Sequence, residues 1–330
     1  MGRYIIKRIL WMIPVLLGVS IFIFTLLYFV PGDPANIILG SQATAEAKDE
    51  LREEMGLNEP YIVQLEQFLK DTFLKFDFGE SYISRQSVSQ EVAMRLPYTL
   101  KVCWTGLFIA LFLGVPLGIL AATNQNTWKD NIAMLISIVA VSMPAFWFAL
   151  MMIYLFAIKL GWLPVQGVET WKGYIIPCIC SAIGTMAAFT RQTRSSMLEV
   201  IRQDYITTAR AKGQTEHKII FGHALRNSML PIVTSLGGMM AGTIGFGVVI
   251  ENIFSIPGLG NYLLTGINNR DYPVVRGCVL VFALIFALMS LVVDLVYGVV
   301  DPRLKSTFAS KKRKKRKAQS IKGGASANGS

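Results

Sequence analysis

The sequence predicts an all-α integral membrane protein with six transmembrane helices. Of its 330 residues, 53% are hydrophobic and only 16% are charged, a balance that favours a membrane protein over a soluble domain. Six apolar runs have about the ~20 helical residues that a bilayer core requires. These runs are residues 9–30, 100–122, 132–158, 174–190, 229–250 and 277–300.

The first run follows three basic residues, Arg3, Lys7 and Arg8. It is longer than the ~7 to 15 apolar residues of a signal peptide, and it ends in PGDP instead of a small-residue cleavage site. Residues 1–30 are therefore predicted to be an N-terminal cytoplasmic stub and a retained first transmembrane helix.

Residues 31–97 are polar, with twelve acidic and six basic residues. Helical patterns over 44–54 and 61–73 predict a folded extracytoplasmic segment. The membrane core then covers residues 98–305, with spans two to six and a polar loop at 191–228. Residues 306–330, which include KKRKKRK at 311–317, are predicted to be a basic, disordered cytoplasmic tail. Attraction of this tail to anionic lipid is its simplest role.

Charge sets the orientation. With the N-terminus inside, the cytoplasmic segments hold 21 basic and five acidic residues, whereas the opposite side holds ten basic and 15 acidic residues. Basic residues concentrate in cytoplasmic loops of membrane proteins. The sequence thus predicts a multi-pass protein with both termini and the 191–228 loop in the cytoplasm.

The segment from Asp204 to Pro231 reads as two short helices around Gly213. Gly213 is suited to a left-handed helix cap, and Thr215 is suited to cap a second helix that starts at Glu216. One face of the first helix is expected to pack through residues at three- to four-residue spacing, which are Leu198, Ile201, Tyr205 and Ala209.

Two spans contain unusual stretches that are candidates for a transport pathway. The fifth has five glycines within eleven residues, and the third has a proline beside three aromatic rings in MPAFWF. Ordinary helix packing is the alternative for both, since small residues allow close helix approach. The candidate pathway residues are Met143, Phe146, Trp147, Gly238 and Gly242.

Only Lys101 and Asp294 are ionisable within the predicted spans. Lys101 lies at a span end and can snorkel, whereas Asp294 is expected to have a structural role in accepting hydrogen bonds from a helix terminus. The four cysteines all lie in apolar segments and are interpreted as packing residues, with no metal site.

The connection between spans five and six is rich in turn formers, followed by an amphipathic helix over 262–269. It lies on the outer side, where it is expected to meet an extracytoplasmic partner or to gate the pathway. The residues assigned to this role are Ser255, Pro257, Gly258, Gly260, Asp271 and Tyr272.

Enzymatic motifs are missing: the sequence has no phosphate-binding GK[ST] loop, no HExxH and no GxSxG. No catalytic residue is therefore assigned, and any use of ATP requires a separate subunit.

TTARAKG at 207–213 and HALRNSMLP at 223–231 resemble the EAA loop of ABC-importer permeases in its peptide and nickel form. In that motif, Ala209 and Gly213 match, whereas Thr207 and Thr208 replace its first two residues. Further stretches are similar to the first permease subunit of dipeptide and oligopeptide transporters. They are YIIKRILWMIPVLLGVS, PGDP, DFGESY, RLPYTL, GWLP, SMLEV, FSIPGLG, NRDYPVV and DPR, and the tail after Lys305 lies outside the likeness.

The resemblance implies a type I ABC-importer permease fold in a bacterial cytoplasmic membrane, with peptide as the substrate. It also implies a heterodimer with a second permease, two ATPase subunits that bind ATP and magnesium, and an extracytoplasmic binding protein. This chain would bind no cofactor itself. The residues expected to couple to the ATPase are Thr208, Ala209, Ala211, Lys212, Gly213, Gln214 and His217.

Three alternatives stay open at this point. One is a permease for nickel or another small chelate, because the binding protein may select the metal. The second is an independent channel or secondary transporter. The third is a membrane-tethered nucleic-acid binder, since a helix, glycine turn and helix imitate a helix-turn-helix, although few side chains there are suited to reading bases.

Overall fold

The computed structural model describes residues 2–40 and 42–300, except for the side chains of 2–4, 230, 234–237, 240–244, 246 and 296–300. The described chain is built from helices, and no β-strand occurs in it beyond an isolated bridge between Glu80 and Ser87. The predicted tail at 306–330 lies outside the described residues. The twelve α-helices in this part are α1 (Gly2–Phe29), α2 (Pro34–Leu39), α3 (Ala45–Glu54), α4 (Tyr61–Lys70), α5 (Val88–Thr123), α6 (Trp128–Ser142), α7 (Ala145–Met152), α8 (Ile175–Ile201), α9 (Asp204–Ala211), α10 (Leu225–Ile253), α11 (Leu259–Asn268) and α12 (Tyr272–Val300).

In the described part of the chain, four helices are long and apolar enough to cross a membrane, at Ile5–Phe29, Val88–Thr123, Trp171–Ile201 and Tyr272–Leu295. The helices Trp128–Ser142 and Ala145–Lys159 pass the same test only as a pair, and the chain bends by 103° between them. The break falls at Pro144, which cannot donate a backbone hydrogen bond. The remaining predicted span, 229–250, corresponds to α10, a 29-residue helix with many central side chains outside the described part of the chain.

The helices are longer than the apolar runs that predicted them. Helix α5 begins at Val88 rather than at residue 100, and α8 continues to Ile201 rather than ending at residue 190. An apolar run measures only the lipid-facing length of a helix, whereas the backbone stays helical where polar turns pack on neighbouring helices.

Helices α5 and α8 form the central contact through small residues on α5. A Cβ atom added to Gly118 would lie 2.5 Å from Thr193 Cβ, and one added to Gly114 would lie 2.7 Å from the Met186 carbonyl oxygen. Such approach is possible only where a glycine faces the partner helix. Gly114 and Gly118 therefore allow α5 and α8 to pack closely.

The segment between α1 and α5 packs on the C-terminal end of α1. Thr25 Oγ1 and Tyr61 Oη are 2.6 Å apart, and the rings of Phe24 and Phe68 stack with centroids 5.3 Å apart. Helix α3 begins after Thr44, whose side chain accepts a hydrogen bond from the Ala47 amide, as an N-cap does. The helices predicted within this segment are confirmed.

Asp294 pairs with a side chain of α1. Its Oδ1 atom lies 2.8 Å from Arg8 Nη2, which ties α12 to the start of α1. The structural role expected for Asp294 agrees with this contact, whose two residues are 286 positions apart in sequence; hydrogen bonding to a helix terminus stays a prediction.

Candidate functional site

The Asp204–Pro231 segment forms a compact turn between α8 and α10. Helix α9 ends at Ala211, and Gly213 follows with φ of +75°, the left-handed conformation predicted for it. The helix resumes at Glu216, where the Thr215 carbonyl accepts a hydrogen bond from the Ile219 amide. The first turns, Lys218–Ala224, are π-helical and lead directly into α10.

An apolar cluster anchors this segment to the membrane helices. Ile206 and Ile219 are fully buried and pack with Met197 of α8, Ala122 of α5 and Ala224. Burial of one isoleucine side chain contributes about 1.5–3 kcal/mol. The segment is therefore held as a rigid body on the ends of α5 and α8.

The expected packing face was partly wrong. The helix breaks at Arg202 and Gln203, so α8 and α9 do not share one continuous face. Consequently Ile206 points inward, whereas Tyr205 is 44% exposed. The hydroxyl of Tyr205 instead accepts a hydrogen bond from Asn227 Nδ2 at 2.8 Å.

Polar side chains tie the two arms of the turn together. Arg210 contacts Glu216 through Nε–Oε1 at 2.6 Å and Nη2–Oε2 at 3.2 Å. This contact lowers the pKa of the Glu216 carboxyl, chiefly through the hydrogen bond to Arg210. His223 Nε2 lies 2.8 Å from Gln214 Oε1. Although exposed ion pairs add little stability, these contacts fix the shape of the turn.

The residues assigned to ATPase coupling lie together at the tip of this turn. Thr208, Ala211, Lys212, Gly213 and His217 are exposed, and the remaining two, Ala209 and Gln214, are half-buried.

Sequence reasoning missed Phe221, which is 48% exposed and has its ring centroid 4.7 Å from that of His217. An apolar residue four positions after His217, on its face of the helix, is the signal that indicates it.

A buried ion pair lies at the end of the helices that carry the turn. Asp130, which is 2% exposed, accepts from Arg194 Nε at 2.6 Å and from Nη2 at 2.7 Å. Its Oδ2 atom also accepts from the Asn126 amide at 3.0 Å. Helices α6 and α8 are thus joined where the 191–228 loop begins. In the sequence analysis Asp130 and Arg194 entered only the count of charges, and their pairing was not predicted.

At the opposite end of α10, Glu251 holds the start of α11. This fully buried residue accepts at Oε2 from the Gly260 amide at 2.7 Å and from the Asn261 amide at 3.2 Å. Thr99 Oγ1 accepts from the Leu259 amide at 2.8 Å. The expectation of only two ionisable residues in the spans is wrong, because α10 extends past residue 250 to include Glu251 and α12 begins early enough to include Arg276.

The residues assigned to a gate or outer partner divide into two groups. Ser255 and Pro257 are exposed, whereas Gly258, Gly260 and Asp271 are buried and Tyr272 is half-buried.

Asp271 accepts from Ser81 Oγ at 2.5 Å and from the Tyr82 amide at 3.2 Å. In this conformation Ser255 and Pro257 alone of this set are fully exposed to a partner.

Of the five pathway candidates, three are exposed, one is half-buried and one has surroundings that the structure does not describe. Phe146 and Trp147, which follow the Pro144 bend, are 54% and 45% exposed. Met143 is half-buried and Gly238 is exposed. Gly242 lies on α10, but its surroundings fall outside the described residues. Their role in transport stays a prediction.

The four cysteines are buried and form no disulfide. Among the described residues, no three His, Cys, Asp or Glu side chains come together to hold a metal ion.

Comparison with known proteins agrees with this architecture. The family described as binding-protein-dependent transport system inner membrane component matches residues 114–306, and the model of its N-terminal membrane component matches residues 1–103. The methionine ABC transporter MetNI, solved in inward-facing conformations, aligns with a TM-score of 0.55 at 17% identity, over 64% of this chain and 97% of that chain. This likeness shows the fold.

Full-length relatives are more similar in sequence. The dipeptide transport system permease protein DppB of Alkalihalophilus pseudofirmus is 40% identical, over 92% of this chain and 100% of that protein. The glutathione transport system permease protein GsiC of Escherichia coli strain K12 is 38% identical, over 92% of this chain and 99% of that protein. The chain therefore belongs to the family of binding-protein-dependent transport system inner membrane components, the permeases of ABC importers.

Proposed function

We propose that this chain forms half of the translocation pathway of an ATP-driven importer for peptides. The observation that carries the proposal is its full-length similarity to permeases named for dipeptide and glutathione transport. A nickel or chelate permease is less favoured, since these relatives are named for peptides. The peptide class covers both an ordinary dipeptide and the modified tripeptide glutathione.

Four partners complete the proposed transporter. They are a second permease subunit, two ATPase subunits that bind ATP and magnesium, and an extracytoplasmic binding protein. The tip of the Asp204–Pro231 segment docks on an ATPase, with its small residues allowing close approach. The charge distribution supports a cytoplasmic position for this segment and for both termini in the bacterial inner membrane.

The contacts under the turn support a transmission role. Movement of an ATPase would displace α9, and Ile206 and Ile219 would carry that displacement to α5, α8 and α10. The Asp130–Arg194 pair would bring α6 along. A rigid turn transmits such a motion as a rocking of helices, whereas a flexible loop would absorb it.

This proposal is tested by uptake assays in a bacterial strain from which the gene for this chain has been deleted and then restored. We expect restored uptake of labelled dialanine or glutathione, dependent on the partner genes and abolished by ATP depletion. Restored uptake of nickel-63 without peptide uptake would contradict the peptide assignment. Uptake by the chain without any ATPase gene would contradict the importer mechanism itself.

A further inference from the structure

A cavity of about 290 Å³ lies between the outer end of α1, the α2–α4 segment and the start of α12. Its wall includes Phe24 and Tyr28 of α1, Tyr82, and Tyr272 and Arg276 of α12. Because α1 ends and α12 begins here, the cavity lies at the outer boundary of the membrane. The cavity is lined by none of the residues assigned to coupling or to the pathway, and by Tyr272 of those assigned to a gate or outer partner.

Arg276 makes no direct ion pair among the described residues. Its Nε atom is buried without a hydrogen-bond partner, and its guanidinium lies over the ring of Phe68 at 4.9 Å and that of Phe24 at 5.7 Å. Nearby Asp271 accepts hydrogen bonds from Ser81 and the Tyr82 amide and attracts Arg276 through its charge without a hydrogen bond to it. Because Arg276 is half-buried beside aromatic rings, an oxyanion that accepts its hydrogen bonds would stabilise this arrangement.

The other charges of the wall cancel. Asp33 and Arg52 form an ion pair at 2.6 Å, which leaves Arg276 as the charged side chain of the wall without a directly hydrogen-bonded anion. The hydroxyl of Tyr272 also lines the cavity and is buried without a hydrogen-bond partner in the described structure. A guanidinium and a hydroxyl together are the donors that carboxylate and phosphate oxygens accept from.

We propose that Arg276 and Tyr272 bind an oxyanion in this cavity, and that its source is the phosphate of a phospholipid headgroup. The boundary position supports a lipid, as does the neighbouring apolar surface of α1, where Phe22 is 67% and Phe29 is 76% exposed. Acyl chains would lie along that surface while the headgroup occupies the cavity. Basic pockets between membrane helices bind lipid headgroups on the cytoplasmic side of membranes, and this cavity would use the same chemistry at the outer face.

Binding to the purified, delipidated transporter complex tests the proposal. Phosphatidylglycerol micelles and inorganic phosphate are titrated separately, at matched ionic strength, while bound lipid is counted by native mass spectrometry and thermal unfolding is followed. The variants are Arg276→Gln and Tyr272→Phe, with Arg270→Gln as the control. Arg270 is an exposed cation at the same membrane boundary.

We expect phosphatidylglycerol to bind and to raise the unfolding temperature of the wild type and of Arg270→Gln, with binding at least tenfold weaker in Arg276→Gln. Tyr272→Phe removes one hydroxyl only, and it should weaken binding severalfold even if Arg276→Gln fails to assemble. If inorganic phosphate alone raised the unfolding temperature in the wild type but not in Arg276→Gln, the oxyanion site would be supported. Its source would then be free phosphate rather than a lipid.

Equal lipid binding by the wild type and both cavity variants would overturn the proposal. So would protection of Arg276 from phenylglyoxal in a complete, lipid-free complex, because a carboxylate of another subunit would then occupy the cavity.

Discussion

Arg194 and Asp130 join α8 to α6 through two parallel hydrogen bonds of 2.6 and 2.7 Å. The two residues are 64 positions apart in the chain, and Asp130 is almost entirely buried. The pair lies where α8 leads into the proposed docking turn. It therefore connects the turn to α6, a helix that does not adjoin the turn in the chain.

Asp130→Ala should destabilise the protein and impair transport. Loss of one partner from a fully buried ion pair costs about 3–5 kcal/mol, and the cost here should be smaller because 25% of the remaining Arg194 side chain is exposed. Thermal unfolding of the complex and uptake in cells measure the two effects. Lys129→Gln changes an exposed neighbour and should leave both unchanged. An unaltered unfolding temperature in Asp130→Ala would show that the pair does not hold α6 to α8.

Ile206→Ala should loosen the docking turn while the membrane helices stay folded. Deletion of a fully buried isoleucine side chain costs about 2–5 kcal/mol, and here the lost contacts are those between α9 and the helix ends. Limited proteolysis between residues 202 and 216 should become faster. Thr207→Ala, on the exposed side of α9, is the control, and equal cleavage rates in both variants would contradict the anchoring role.

Two glycines in membrane helices should respond oppositely to alanine. Gly118→Ala places a methyl group 2.5 Å from Thr193 Cβ and 2.7 Å from the Thr190 carbonyl, whereas Gly184→Ala meets no atom within 4 Å. Overpacking costs about 1–3 kcal/mol, so Gly118→Ala should lower the unfolding temperature of the complex. Gly184→Ala should leave it unchanged or raise it. A similar fall in both would mean that α5 and α8 are not in close contact.

Local chemistry explains what could be predicted from the sequence. The left-handed Gly213 and the helix that starts at Glu216 depend on neighbours in the chain, and both were predicted. The apolar runs likewise located the membrane helices, although not their ends.

What escaped prediction depends on contacts between distant residues. Glu251 lies one residue past an apolar run and Arg276 one residue before another, so hydropathy placed both outside the helices that contain them. Their environments come from Gly260, Asn261 and Phe68, which reach them only through the fold.

Docking of the Asp204–Pro231 segment on an ATPase depends on the backbone conformation of Gly213, which Gly213→Pro would change. Proline fixes φ near −65° and lacks an amide proton, whereas Gly213 has φ of +75° and donates to the Arg210 carbonyl at 2.9 Å. Gly213→Asn is the matched control, because asparagine tolerates the left-handed conformation.

The decisive measurement is ATP-dependent dipeptide uptake into proteoliposomes that contain the complete transporter. We predict normal assembly but uptake that is lower by about tenfold or more in Gly213→Pro, since each ~1.4 kcal/mol of lost docking energy is a factor of ten. Gly213→Asn should retain most of the uptake. Full ATP-driven uptake by Gly213→Pro would contradict the proposed docking of the Asp204–Pro231 segment on the ATPase.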